Sequence, residues 1–372
     1  MGSFRLGAIF GFEIRIDFSW FIIFFLILWT FSDAVFPHQY PGLSTVAYYA
    51  MGTAGALLFF ASLIAHELSH SLVARTKGIP VEGITLFIFG GMARTRMDAE
   101  SPADEFQIAG IGPLTSLLLA GLFYLVHWIG TAAGWSTAVT GVAGYLALWN
   151  IALAIFNLLP GFPLDGGRVF RAIVWRITDD ADKATRWAST GGKWLGYILV
   201  AWGVVSVFTG FLLNGLWLVF IGWFLRNAAE AGYQQFVMRA ALGGVRAYHA
   251  MTRAPETVPP DLDLRSLVDD HFMRRRFHAF PVVDDGRPVG LVTLARVKDK
   301  PRDEWSRYSV RDVMRPLDDQ IAVASTDPLT DVLEKINDTD TRRVLVIDDG
   351  QLVGIITGAD IAGWLKRAKE LG

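Results

Sequence analysis

The sequence predicts a polytopic α-helical membrane protein of about six spans, with short membrane-associated β segments, followed by a cytosolic α/β tandem. Three observations carry that prediction. Hydrophobic residues make up 52% of the chain and mean hydropathy is +0.36, above the range of ordinary water-soluble domains. Lys and Arg are absent from residues 16–74, 97–167 and 194–225, and short basic clusters fill the gaps. From about residue 239 the composition turns charged and ordinary, and one segment recurs at an offset of 64 residues.

The elements follow in order. Residues 4–17 (FRLGAIFGFEIRID) alternate apolar and polar positions, which predicts a short hairpin, and hold no small-residue cleavage site, so this segment is expected to stay attached. Residues 18–31 (FSWFIIFFLILWTF) are too long and too apolar for a core helix of a soluble domain. The first two Lys/Arg-free stretches each hold two apolar segments of roughly 20 residues, with polar breaks at 37–43 and 130–136, so each reads as a helical hairpin. The third breaks near 209–214 and is tighter; two spans fit if the first begins near Trp187 and lets Lys193 reach for the interface. The excess of Lys and Arg on the inner side puts Arg75, Lys77, Arg94, Arg96, the cluster at 168–186, Arg226 and both termini in the cytosol, with the cell membrane as the expected location. Trp128, Trp135, Trp187 and Trp217 at span ends read as interfacial anchors.

In the polar part, residues 277–297 (FHAFPVVDDGRPVGLVTLARV) repeat as 341–361 (TRRVLVIDDGQLVGIITGADI). Each copy reads as strand, Asp-Asp-Gly turn, strand and helix, preceded by a helix at 264–275 or 329–338. Neither unit has enough core alone, so the two are expected to pack together. This tandem resembles a pair of cystathionine-β-synthase (CBS) domains, and the expected division is 1–238 for the membrane domain, 239–309 for the first CBS domain and 310–372 for the second. The resemblance implies a homodimer through the CBS pair or an adenine-nucleotide site. In such sites a Thr or Ser precedes an Asp by three residues; Thr357 and Asp360 keep the pattern, whereas Thr293 is followed by Arg296, so at most one competent site is expected.

The chain has no Cys, which excludes disulfides and thiolate ligands and leaves His and carboxylate to hold any metal. A net charge of −2 and a pI near 6.4 give no sign of a nucleic-acid partner. Within the second span lies His66-Glu67-Leu68-Ser69-His70, the H-E-x-x-H pattern. On a helix, residues four apart share a face, so both imidazoles point to one place and Glu67 can reach a water bound there. Ionisable residues inside an apolar span are costly and read as functional, although a polar cluster joining helices is the bland alternative. A zinc hydrolase needs a third protein ligand, and Asp165 in Asn157-Leu-Leu-Pro-Gly-Phe-Pro-Leu-Asp-Gly-Gly is the candidate. Its prolines and glycines make a regular helix there unexpected and let the carboxylate turn inward; the alternative is a solvated Asp in a helix-ending turn. The remaining histidines, His38, His127, His249, His271 and His278, are expected in solvated or packing roles.

These paired motifs, with Ala109-Gly-Ile-Gly-Pro113 in the third span, resemble the site-2 protease family of intramembrane zinc metalloproteases, and a C-terminal CBS pair occurs in one branch of it. The resemblance implies one zinc per chain on His66, His70 and Asp165, Glu67 as general base, and Asn157 hydrogen-bonding the substrate backbone. The implied function is cleavage of transmembrane segments of membrane-protein substrates in the bilayer, known as regulated intramembrane proteolysis. The segment at 83–89 (GITLFIF) either pairs with an unwound substrate as an added strand or is a structural loop dipping into the membrane. The rival reading is a CBS-gated transporter or channel, which predicts polar residues spread over several spans; here they concentrate at 66–70 and 157–165.

Overall fold

The computed structural model describes residues 3–88, 90–95, 99–275 and 277–371. Phe89 of the 83–89 segment and Arg96 of the expected cytosolic cluster lie outside these ranges. The chain divides into two units, Met1–Gln234 and Gln235–Gly372.

The first unit begins with strands β1 (Ser3–Ile9) and β2 (Phe12–Asp17), the hairpin that the alternating pattern predicts. Its inward residues Phe12, Ile14 and Ile16 are buried while the intervening ones are partly exposed. Helix α1 (Ser19–Trp29) continues through a π turn and a short helix to Gln39, and α2 (Thr45–Thr76) returns. Strands β3 (Val81–Phe87) and β4 (Gly90–Thr95) follow. Next come α3 (Pro102–Ala132), α4 (Thr137–Asn157), α5 (Asp165–Thr178), α6 (Ala181–Phe208) and α7 (Leu212–Leu242). Among the described residues, six helical segments are long and apolar enough to cross a membrane, namely α1 with its extension to Gln39, α2, α3, α4, α6 and α7. Ser44 and Ser101 cap α2 and α3 by accepting backbone N–H bonds from Ala47 and Asp104, which fixes where two of these helices start.

Three differences from the sequence reading have physical reasons. α6 begins at Ala181, ahead of Trp187, and Lys193 inside it does not reach for the interface alone but pairs with Glu230 of α7 at 2.8 Å. Asp165 does not end the fourth span; α4 stops at Asn157, and Asp165 opens the separate helix α5, whose first turn holds Gly166 and Gly167. The prolines at 160 and 163 stay in the preceding loop, so the helix-breaking residues act there and not at the glycines. Finally, the sheet runs β1-β2-β3-β4, with β2 and β3 parallel and the outer pairs antiparallel. β3 is therefore interior, its hydrogen-bonding groups consumed on both sides. It cannot take an added strand; the edges of the sheet are β1 and β4. The sheet rests on α1 and α2 through Ile14, Ile84 and Leu86 against Trp20, Phe60, Leu63 and Leu68.

In the second unit each repeat forms a hairpin as expected. β5 (Thr252–Arg253) precedes the first, β6 (Ala279–Asp284) and β7 (Arg287–Thr293); β8 (Arg315–Pro316) and β9 (Ala322–Val323) lie between; helix α8 (Leu329–Asp338) leads to β10 (Arg343–Asp348), β11 (Gln351–Thr357) and α9 (Gly358–Leu371). At both turns the Asp and Gly take positive φ, 46° and 82° at Asp285 and Gly286, 49° and 75° at Asp349 and Gly350. That is the pair of conformations a two-residue hairpin loop requires, and it explains the repeated Asp-Gly. The sheets exchange edges: β5 pairs with β11 of the second repeat, and Leu242, Ala247 and Ala250 join the core of Leu329, Val332, Val344, Val346 and Ile356. The first repeat's core is completed in turn by Val310 and Val313, from the start of the second.

Candidate active site

Both histidines leave α2 on one face. Their rings meet edge to face with centroids 4.9 Å apart, and their Nε2 atoms lie 3.2 Å apart. His66 is 1% and His70 7% exposed. Asp165 Oδ2 completes the group, 3.0 Å from His66 Nε2 and 3.2 Å from His70 Nε2. Among the described residues no other three His or carboxylate groups gather in this way.

Each ring is held from behind by α3. His70 Nδ1 lies 2.5 Å from the carbonyl oxygen of Ile108, which can only accept, so Nδ1 carries a proton and Nε2 is the nitrogen left to bind a metal. His66 Nδ1 stands 2.9 Å from the hydroxyl of Ser116, a fully buried residue, and pairs with it, which leaves Nε2 turned to the same point. Two ring nitrogens and a carboxylate oxygen then face one another at 3.0–3.2 Å. With no proton on the nitrogens, three lone pairs so close repel each other unless a cation lies among them. A tetrahedral zinc site with bonds of about 2.0–2.1 Å has ligand-to-ligand edges of about 3.3–3.4 Å, close to the separations here. Gly112 keeps the space in front of the rings clear: a Cβ there would overlap His70 Nε2 and lie 2.7 Å from His66 Nε2. Two neutral imidazoles and one carboxylate are a donor set for zinc, whereas magnesium and calcium ask for oxygen.

The loop at 158–164 carries Asp165 to this place. Phe162 N–H donates to the carbonyl of Ala188 on α6 at 3.1 Å, and the loop backbone lies so close to Gly192 that a Cβ there would overlap the Phe162 carbonyl. Asn157, the last residue of α4, is half-buried, and among the described residues its amide makes no hydrogen bond within the chain. Glu67, one position beyond His66, has its side chain against the backbone of Gly91 in β4, where a Cβ would overlap Glu67 Cγ and stand 3.1 Å from Oε1. Its carboxylate has no hydrogen-bond partner among the described residues and is free to hold a water or a proton.

Ile108, Gly112 and Ser116 were missed as a set by sequence reasoning. They lie four residues apart, one stripe of α3, and that spacing was the available signal; the reading stopped at 109–113. Of the other histidines, His127 Nδ1 bonds the Thr140 carbonyl at 2.7 Å, His271 pairs with Glu256 at 3.1 Å, and His38, His249 and His278 are exposed.

In the second repeat Thr357 and Asp360 are brought together. Asp360 Oδ2 accepts from the Thr357 amide at 2.8 Å and hydroxyl at 2.6 Å, and Oδ1 accepts from Thr252 at 3.1 Å, so the carboxylate caps α9. Arg343, across the strand pair from Thr357, is half-buried; its guanidinium donates to the Thr341 carbonyl and has no carboxylate partner among the described residues. Burial pulls its pKa down. In the first repeat Arg296 binds Asp340 at 3.2 Å, and Arg315 binds the same carboxylate. Burial pushes the Asp340 carboxyl up, but these two guanidinium groups outweigh it and hold it below the ordinary range.

Residues 54–133 and 127–199 match the model of peptidase family M50, and residues 245–302 and 310–367 each match the CBS domain. The chain is 37% identical over 361 residues to Rip3 of Mycobacterium tuberculosis, which is named as a zinc metalloprotease; the match covers 96% of this chain and 91% of that protein. It is 29% identical over 364 residues to zinc metalloprotease MJ0392 of Methanocaldococcus jannaschii, covering 96% and 95%. The solved site-2 protease from Methanocaldococcus jannaschii aligns with 62% of this chain and 95% of its own at 26% identity and a TM-score of 0.43.

Proposed function

Since the chain belongs to peptidase family M50, as a zinc metalloprotease with a C-terminal CBS pair, we propose that it cleaves the transmembrane segments of membrane-protein substrates, in regulated intramembrane proteolysis. The observation that carries this reading is the convergence of His66, His70 and Asp165 on one point of a membrane-spanning helix, with the unengaged carboxylate of Glu67 one residue away. The proposed functional division is a protease domain over 1–238 and CBS domains over 239–309 and 310–372.

His66 and His70, through Nε2, and Asp165, through Oδ2, would hold one zinc ion. Zinc there supplies Lewis acidity, which makes a hydroxide nucleophile accessible near neutral pH and polarises the scissile carbonyl. Glu67 takes the proton of the attacking water and passes it to the leaving amide nitrogen. Ile108 and Ser116 orient the two rings so that each turns Nε2 to the metal. A helical substrate has its backbone groups paired, so it must unwind before hydrolysis. Asn157, with its amide unengaged, would bind the exposed substrate backbone. The open edge of β4, beside Glu67, is the edge on which an extended substrate would add as a strand, a role that passes to it from the segment at 83–89.

The termini and the CBS pair are proposed to face the cytosol, in the cell membrane, on the distribution of Lys and Arg. For the CBS pair, the half-buried, carboxylate-free Arg343 beside Thr357 favours an adenine nucleotide in the second repeat, with Thr357 and Asp360 as its contacts after Asp360 gives up its cap; homodimerisation is the other role. The protease reading is tested with purified full-length protein in liposomes containing single-span test substrates. Cleavage inside the span by the native chain, abolished by chelator, restored by zinc and absent in Glu67→Gln, is expected. A Glu67→Gln variant that cleaves at the native rate would overturn it.

A further inference from the structure

One turn of α3 is tied to both helices that carry the three ligand atoms. Ile108 accepts from His70 Nδ1. One turn earlier, Glu105 is 1% exposed and its Oε1 lies 3.1 Å from Nη1 of Arg171 on α5, itself 8% exposed; Arg168 Nε stands 3.8 Å from the same oxygen. Asp104 beside it binds Lys77, just past the end of α2, at 2.9 Å. α2 carries His66 and His70, and α5 opens with Asp165, six residues before Arg171.

We propose that Glu105 and Arg171 are positioning residues for the third metal ligand: their buried ion pair sets the register of α5 against α3 and so delivers Asp165 Oδ2 to the two imidazoles. This rests on the zinc reading given above. A buried ion pair is a poor device for stability alone, because desolvation offsets most of the Coulomb gain and an apolar pair of like volume serves as well. What it supplies is direction. A slip of α5 by one residue moves Asp165 about 1.5 Å along the helix axis, whereas metal–ligand distances tolerate only about 0.2 Å. No ligand bond from α2 or α3 corrects such a slip, because Asp165 is the one proposed ligand that α5 contributes. The pair acts on the metal through Asp165 and does not touch it.

The test is zinc affinity of the full-length protein in detergent, by competition with a chromophoric chelator. Glu105→Gln should weaken zinc binding about 10- to 100-fold in the native background, the range for loss of a supporting contact. In an Asp165→Ala background the same change should cost less than about 2-fold, since no ligand remains to be positioned. The paired variant Glu105→Met/Arg171→Met should melt near the native temperature yet bind zinc as weakly as Glu105→Gln, which separates positioning from folding. Unchanged zinc affinity in Glu105→Gln and in the paired variant, or an equal loss with and without Asp165, would overturn the proposal while leaving the zinc site standing. A native chain that takes up no zinc would overturn the zinc reading and this proposal with it.

Discussion

Gly112 stands so close to His70 that a Cβ on its backbone would overlap the ring Nε2. The residue is thus part of the site by what it lacks. Replacing it with Ala puts a methyl group where the three donor atoms converge. Gly112→Ala should lose more than about 90% of bound zinc while helix content and detergent solubility stay native, because substitutions that displace a ligand act on the metal before the fold. Zinc content of the purified variant beside its circular dichroism checks this; native zinc content would show that α3 withdraws easily.

Ser116 orients the ring of His66. Removing the hydroxyl in Ser116→Ala leaves the buried Nδ1 without its hydrogen-bond partner, and zinc affinity should fall about 10- to 100-fold. Chelator competition measures it. The loss should exceed that of Ser69→Ala on α2, whose hydroxyl bonds the carbonyl of its own helix at His66.

Gly91 bears on the proposed base and the proposed substrate edge, and not on the proposed metal ligands. Gly91→Val would press on Glu67 Cγ and crowd β4. Hydrolysis of a single-span substrate should fall by at least about tenfold with zinc retained, as for loss of a positioned general base. Quantified product bands, normalised to zinc content, decide; loss of zinc in parallel would assign Gly91 a different role.

What was legible in the sequence was local. His66, Glu67 and His70 share a helix face because a spacing of four guarantees it, and Asp285-Gly286 and Asp349-Gly350 turn because few other pairs take two positive φ values. What crosses the chain was not. Ser116 meets His66 across 50 residues, and Ile108 meets His70 across 38; the four-residue spacing on α3 marks a shared face but not what that face meets. The parallel pairing of β2 with β3, which makes β3 interior, joins Glu13 to Gly83, and strand order is not written in alternation. α5 escaped notice because Gly166 and Gly167 read as breakers and its arginines as a basic loop; in place, Gly166, Gly167 and Arg171 are all buried.

The proposed orientation has a direct check in a chain without cysteine. Single cysteines at the exposed positions Gln39 and Gln351 should be labelled by an impermeant reagent from opposite sides of the membrane, Gln351→Cys from the cytosolic side. Labelling of both from one side would refute the hairpin arrangement of the spans.

Nucleotide binding at the second repeat is measured by titrating the full-length protein with ATP, ADP and AMP. Arg343→Ala should weaken the heat signal at least about tenfold through loss of a charge-assisted phosphate contact, and Asp360→Ala should weaken it as well. No heat with any nucleotide leaves the pair as a dimerisation module, which sedimentation of the full chain would then reveal.

The assignment of His66, His70 and Asp165 as metal ligands is tested most directly by elemental analysis of four purified proteins. The native chain and Glu67→Gln should each carry about one zinc, because the base is not a ligand, whereas His66→Ala and Asp165→Ala should carry far less. Full zinc occupancy in Asp165→Ala would contradict it.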